Sequence, residues 1–255
     1  MIVPCGRSPR FAALLAALLA ALATSPAAHG MPSSQVPVGA RAIGMGGAFS
    51  AIADDASALF WNPAGLVGIG HQEFTISHAD LYGTGNHDDL ASFVLPLSPR
   101  LTVATDWYHS GFDDDELGFT ENRLTYGAAL KVRPWLWAGA NAKLLTRSTS
   151  LDGLSILSGR GLGLDAGLIT SPADRWRLGL VAQDITGTDV RSSAGEVENA
   201  YAPNFRFATA YTQPRIGTAA FDVDDRWHVG LEVTPHPSLA RSGSAPSRTG
   251  TESKT

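Results

Sequence analysis

Two pairs of neighbours in this chain, Ser77-His78 and His109-Ser110, have the residue types of a nucleophile and its general base. Acyl transfer would need the imidazole within hydrogen-bond reach of the hydroxyl, with a third group to orient the ring. Neither pair sits in a G-x-S-x-G elbow. Both lie in runs that alternate like strands, where adjacent side chains point to opposite faces, so neither pair can work together. The acidic run Asp113-Asp114-Asp115-Glu116 offers the oxygen ligands Ca²⁺ takes, but without the spacing of an EF-hand loop. Such a run of like charges in a surface loop is expected to stay hydrated. His71, His78, His87, His109, His228 and His236 show no i, i+4 pairing, so no metal site is expected. The single cysteine, Cys5, lies ahead of an apolar segment that is expected to be cleaved off, which leaves no thiol chemistry and no disulfide. No catalytic residues, cofactor or metal are expected.

The elements that would have to position any site are strands. From Glu73 onward the chain alternates at period 2. Leu124, Tyr126, Ala128, Leu130 and Val132 fall on one face, against Arg123, Thr125, Gly127, Ala129, Lys131 and Arg133. Leu136, Ala138, Ala140, Ala142 and Leu144 oppose Gly139, Asn141 and Lys143. Trp176, Leu178, Leu180 and Ala182 oppose Arg177, Gly179 and Gln183; Phe205, Phe207 and Tyr211 oppose Arg206, Ala208 and Ala210; Val229, Leu231 and Val233 oppose His228, Gly230 and Glu232. One face is apolar and the other polar, charged or very small. Strands are expected near 73–82, 89–97, 100–108, 122–132, 135–146, 160–170, 175–185, 204–212, 215–223 and 226–233, about ten in all.

Alternation alone fits a soluble sandwich, a propeller or a membrane barrel. The connections argue for the barrel. Tight turns at Ser98-Pro99, Arg133-Pro134, Ser171–Asp174 and Gln213-Pro214 alternate with longer polar segments at Gly83–Asp88, His109–Glu121, Arg147–Gly159 and Thr186–Pro203. Short and long connections on opposite sides are the habit of outer-membrane barrels. Trp107-Tyr108, Trp135, Trp137, Trp176, Tyr211 and Trp227 lie near strand ends, where interfacial aromatic girdles are expected. Charged residues make up 17% of the chain and the net charge is −5, which provides no electrostatic footprint for nucleic acid.

At the N-terminus, Arg7 and Arg10 precede the apolar run Phe11–Ala23 and then small residues. That is the pattern of a cleaved secretory signal, too short to span a membrane as a helix. The strand pattern stops at Val233, and residues 234–255 are rich in Ser, Thr, Gly and Pro, a disordered or aberrant tail. The organisation expected is a signal peptide over 1–30, an N-terminal segment over 31–70, barrel strands over 71–233 and that tail.

The segment Val38–Leu66 carries the wording G-A-R-A-x-x-M-G-G-A-F…D-D-A-S-A-L-x-x-N-P-A-G-L. Its glycines permit close backbone packing, Asn62-Pro63 ends any helix before it, and Asp54 and Asp55 are expected to cap a short helix ending at Trp61. The wording resembles the N-terminal region of FadL-like outer-membrane proteins, and within them the PorV/PorQ branch of type IX secretion. The resemblance implies an all-β, transmembrane, antiparallel up-and-down β-barrel in the Gram-negative outer membrane, here incomplete at its C-terminal end. It implies that Gly44, Gly46, Gly47, Phe49, Asp54, Asp55, Ser57, Asn62, Pro63, Ala64 and Gly65 belong to a plug, or hatch, inside the barrel. Such a plug would pack against the inward charges Arg123, Lys131, Lys143, Arg177, Arg206 and Glu232. The function implied is passage of hydrophobic small molecules across the outer membrane; the alternative is a non-transport scaffold or shuttle for secreted proteins. The partners implied are membrane lipid and either hydrophobic small molecules or secreted proteins.

Overall fold

Period-2 alternation becomes strand nearly everywhere it occurs. The computed structural model describes residues 37–81, 85–113, 117–192 and 197–234; the expected signal peptide, Asp114, Asp115, Glu116 and the tail beyond 234 lie outside the described residues. Twelve strands follow one another: β1 (Glu73–Leu81), β2 (Asn86–Ser98), β3 (Leu101–Asp113), β4 (Leu117–Arg133), β5 (Leu136–Leu151), β6 (Leu154–Ala173), β7 (Trp176–Gln183), β8 (Thr188–Ser192), β9 (Val197–Tyr201), β10 (Asn204–Gln213), β11 (Gly217–Val223) and β12 (Trp227–Val233). They form one antiparallel sheet in which sequence neighbours pair, except that β7 pairs with β10 and β8 with β6, while β7 and β8, and β9 and β10, do not pair. β1 and β12 are its two edges, and the sheet does not close among the described residues.

The two short strands missed by sequence reasoning explain the exception. β7 stops at Gln183 while β6 continues beyond it, leaving the far half of β6 without a neighbour on that side. β8 fills part of the gap, pairing Gly159–Gly161 of β6 with Val190–Ser192, and β9 pairs with β8.

The expected long loops are corrected by the structure. β3 and β4 stay paired out to Asp113 and Gly118, and β5 and β6 out to Leu151 and Leu154 around the two-residue turn Asp152-Gly153. His109–Glu121 and Arg147–Gly159 are therefore mostly strand. Where both faces of a strand meet polar surroundings the apolar–polar alternation disappears, so these ends carry no period-2 signal to read.

The sheet curls around residues 37–70. A main cluster of buried side chains joins Met45, Phe49, Ile52, Leu59, Trp61, Leu66 and Ile69 of that segment to Val94, Ala104, Ala129, Ala208, Ala210 and Ala220 of the strands. Small residues on the concave face leave the volume that this segment fills, as close packing requires. The outward face keeps large apolar side chains exposed, among them Phe74, Ile76, Trp107, Tyr126, Leu144 and Leu231. Two aromatic residues expected in an outer girdle point inward instead. Tyr108 is buried, and the Trp137 ring lies against Gly68 and Arg177. Both share the parity of inward residues, Tyr108 with Ala104 and Asp106, and Trp137 with Gly139 and Asn141.

Candidate functional site

A buried irregular segment leaves many backbone N–H and C=O groups without partners, and each must find one. Residues 37–70 hold only the short helices α1 (Ala40–Gly44) and α2 (Ala58–Trp61) and a 3₁₀ turn at Pro63–Gly68. Some of the remaining backbone closes on itself in turns, as in Ala48 N to Met45 O and Ile52 N to Phe49 O, and side chains of the wall satisfy several of the other groups. Asp222 of β11 accepts the N–H groups of Phe49 (3.2 Å) and Ser50 (2.9 Å). Glu73 of β1 accepts from Ala56 N at 2.8 Å, and Ser92 of β2 donates to Ala56 O at 3.0 Å. Asn141 of β5 donates to Leu59 O at 2.7 Å, and Gln183 of β7 donates to Phe60 O at 2.8 Å. A ring nitrogen of His228 in β12 lies 3.1 Å from Gly46 O.

Asn62 is the centre of this arrangement and is fully buried. Its amide nitrogen donates to Ser50 O (2.9 Å) within the segment and to Leu168 O (3.2 Å) on β6, and its oxygen accepts from Ala64 N (3.1 Å). Pro63 and Ala64 seat directly on the wall at Gly139 and Gly167, which face each other across β5 and β6. A Cβ on Gly139 would come within 2.5 Å of Ala64 N, and one on Gly167 would overlap the Asn62 amide. Only glycine leaves room there.

The other expected plug residues divide. Gly47, Phe49, Ser57 and Gly65 are buried; Gly46 is exposed but turns the chain at φ 63°. Gly44 is exposed with open space where a side chain would go, so it does no packing. The expected capping by two aspartates is corrected: no side chain caps the first N–H groups of α2. Asp55 accepts from Ser57 N (2.9 Å) and Ser57 Oγ (2.5 Å) just ahead of the helix, and Asp54 turns away to Arg41 at 2.5 Å.

Arg41, not singled out from the sequence, ties this segment to the last strand. Its Nε lies 2.6 Å from Glu232 Oε1 and its Nη2 2.8 Å from Oε2, a bidentate pair across 191 residues of sequence. The hydrogen-bonded Glu232 carboxylate is the main cause that holds the Arg41 guanidinium above its ordinary range. Both side chains remain about a third exposed, so the pair is screened. In a double-mutant cycle, Arg41→Gln with Glu232→Gln is expected to show a coupling of about 1 kcal/mol that fades in high salt. Equilibrium urea unfolding measures it; a coupling indistinguishable from zero at low salt would show that the contact does not hold the segment.

The expected inward charges take different partners. Arg206 approaches Gly47 O (3.5 Å) and pairs with Asp224. Asp224 lies in the turn after β11; burial opposes its ionisation, but Arg206 and the N–H of Arg226 outweigh that and bring it down to about 2. Arg177 approaches Ile52 O at 3.5 Å and stacks on Trp137. Arg123 is wedged between the Phe60 ring of the segment and Tyr108 of β3. Lys143 does not reach the segment: its Nζ lies 2.8 Å from both Asp165 and Asp184. Lys131, opposite Trp137 near the tight-turn end, forms no ion pair among the described residues.

Sequence reasoning missed most of the inward carboxylates. Asp88, Asp106, Glu121, Asp165 and Asp222 are all buried on the concave side and balance the cations. Their inward parity was readable by extending the strand ledger to β2, β3, β6, β11 and the start of β4, as buried charges must be paired. Tyr108 donates to Asp88 at 3.0 Å, Arg147 donates to Glu121 at 2.7 Å, and Tyr201 donates to Glu121. Toward the long-hairpin end, a cavity of about 260 Å³ is lined by Phe119, Arg147, Thr149, Leu157, Gly159, Val190, Ser192 and Val197. The hydroxyl–imidazole pairs stay apart, since His78 and His109 lie in the outward row while Ser77 and Ser110 face the concave side.

No protein-family model matches the chain, and no curated protein matches it. Solved structures do. The chain is similar to the CymD monoaromatic hydrocarbon channel, with a TM-score of 0.58 and 15% identity over 75% of this chain and 69% of that one. It is similar to the TodX monoaromatic hydrocarbon channel deltaS2 mutant (TM-score 0.54, 15% identity, 73% of this chain and 68% of that one). It is also similar to a Pseudomonas aeruginosa FadL homologue (TM-score 0.51, 12% identity, 75% and 69%). At such identities the likeness is one of architecture: this chain has the all-β fold of the FadL-like channels.

Proposed function

We propose that this chain is an outer-membrane β-barrel of the FadL type, exported by a cleaved signal, through which hydrophobic small molecules cross, with residues 37–70 as its plug. The outer surface carries this reading. Phe74, Ile76, Phe93, Trp107, Tyr126 and Leu144 stand exposed beside one another on adjoining strands, and Trp176, Phe205, Val229 and Leu231 continue the face. A soluble monomer rarely exposes a contiguous apolar patch beyond a few hundred Å². Lipid is the solvent that suits such a wall, and at the level of these apolar residues the buried charges, among them Asp106, Arg123 and Lys143, lie on the other face. Two of the structural neighbours are titled monoaromatic hydrocarbon channels, and the cavity beside Phe119 and Leu157, whose lining also includes Arg147, Thr149 and Ser192, is large enough for a small hydrocarbon. The PorV/PorQ branch rests on the wording of Val38–Leu66 alone.

The full chain is expected to fractionate with outer membranes. Cysteine at Asp152, in the turn of the β5–β6 hairpin, should label with an impermeant maleimide on intact cells, and cysteine at Ser98 should not. Deleting Gly39–Leu66 is expected to leave a membrane-inserted barrel with raised ion conductance and faster uptake of a monoaromatic hydrocarbon. Recovery of the intact chain as a soluble protein, or unchanged conductance in an inserted deletion variant, would defeat the reading. Loss of secreted-protein maturation with hydrocarbon uptake unchanged would replace transport by the scaffold role.

A further inference from the structure

The outward face changes character within one row of residues. Following the strand register from β1 to β6, one row reads Ile76, Ala91, Trp107, Leu124, Leu144 and Leu162. The next row toward the long-hairpin end reads His78, Asp89, His109, Asn122, Thr146 and Arg160, and continues to Arg191 on β8. An apolar row is followed by a wholly polar one. Most of the polar row is internally satisfied: His78 meets Asp89 at 2.7 Å, and His109 meets Asn122 at 3.0 Å.

Arg160 and Arg191 are not. They are directly opposed cross-strand partners on the same face, and both are exposed. Like charges in that relation repel and are unfavourable without a counter-ion. Among the described residues neither forms an ion pair. Asp189, on the same face of β8 and level with Leu162 of the apolar row, pairs with neither. The two guanidinium groups border an open groove whose lining also includes Asn122, Thr146, Ser148 and Ser158, together with Thr120, Gly159, Ser192 and Arg147, and no carboxylate is among them. Paired guanidinium groups beside hydroxyl donors match a phosphate monoester. Their height, one row above the apolar band, is where lipid headgroups sit against a barrel.

We propose that Arg160 and Arg191 form a binding site for the phosphate-bearing headgroup of a membrane lipid on the outer wall of the barrel. The proposal rests on the membrane-barrel reading above. The full chain, extracted from membranes in mild detergent, is exchanged into phosphatidylcholine nanodiscs doped with diphosphoryl lipid A or with its dephosphorylated form, and bound lipid is counted by native mass spectrometry. The wild type is expected to retain the diphosphoryl lipid and not the dephosphorylated one. The R160Q/R191Q variant should lose affinity roughly thirtyfold, the factor for two phosphate-facing cations near a membrane surface. R160K/R191K, which keeps the charge, should retain most of it, and inorganic phosphate should not displace the lipid. Equal retention of both lipids, or undiminished retention by R160Q/R191Q, would overturn the site. Displacement by inorganic phosphate would overturn the lipid as its occupant in favour of a soluble anion. Heat-modifiable gel migration checks that each variant is folded, and the single variant R191Q reads the same loss if the double one is not. Recovery of the wild type in the soluble fraction would be seen before any lipid is added, so failure of the barrel reading is distinct from failure of the site.

Discussion

Gly167→Leu is expected to drive the Asn62-Pro63-Ala64 turn off the wall. A side chain at residue 167 points to the concave face, where its first carbon would already overlap the Asn62 amide. The obstacle is a fully buried group held by three hydrogen bonds, so it cannot swing aside as the tip of a long side chain would. Overpacking a close-fitted site costs about 1–3 kcal/mol even where neighbours can yield. Here the strand has its ladder partners on both sides, Gly139 of β5 and Val181 of β7, while the segment is irregular, so the segment is what gives way. Limited proteolysis should cut within residues 37–70 in the variant and not in the parent. Ala166→Leu, one residue away but on the outward face, is the matched control and should be silent. Equal protection of the segment in Gly167→Leu and the parent would show that the turn does not depend on this contact.

Asn62→Ala is expected to cost about 4 kcal/mol, because it strands Ser50 O and the Ala64 N–H in a site that water does not reach, at about 1–3 kcal/mol for each buried group. Asn62→Asp should do no better: a carboxylate still accepts from Ala64 N but cannot donate to the two carbonyls, and it buries a charge. By contrast Asp54→Asn, at a side chain a third exposed, should stay within about 1 kcal/mol. Urea midpoints of the three variants rank them. An Asn62→Ala midpoint close to that of Asp54→Asn would mean that the turn is held by packing alone.

Inward and outward parity was legible because it is local. Side chains alternate along any strand, so Arg123, Arg177, Arg206 and Glu232 could be assigned to one face from their neighbours alone, and the small residues opposite the apolar ones marked a face that something approaches closely. The Gly-Gly at Gly46-Gly47 and the Asn62-Pro63-Ala64 turn were legible for the same reason, since φ above zero and the end of a helix are set by the residues themselves. The lengths of β3 to β6 were not legible. Beyond the apolar band polar residues mix with scattered apolar ones such as Phe119, Ile156 and Leu157, so the faces no longer differ consistently, and only the pairing of β3 with β4 and β5 with β6 shows that these stretches are strand.

The sequence by itself therefore determined an all-β chain with two unlike faces and an irregular glycine-rich segment ahead of it. Only the tertiary structure decided what each inward group touches. Asp222 meets Phe49 and Ser50 across more than 170 residues, Arg41 meets Glu232 across 191, and Asn62 meets Leu168 across 106. These partners follow from how far the sheet curls and from the depth at which the segment sits, and no local periodicity encodes either. The same holds for β8 and β9: five-residue strands have little stability of their own, and they form because β6 outruns β7 and leaves an edge whose backbone must be paired.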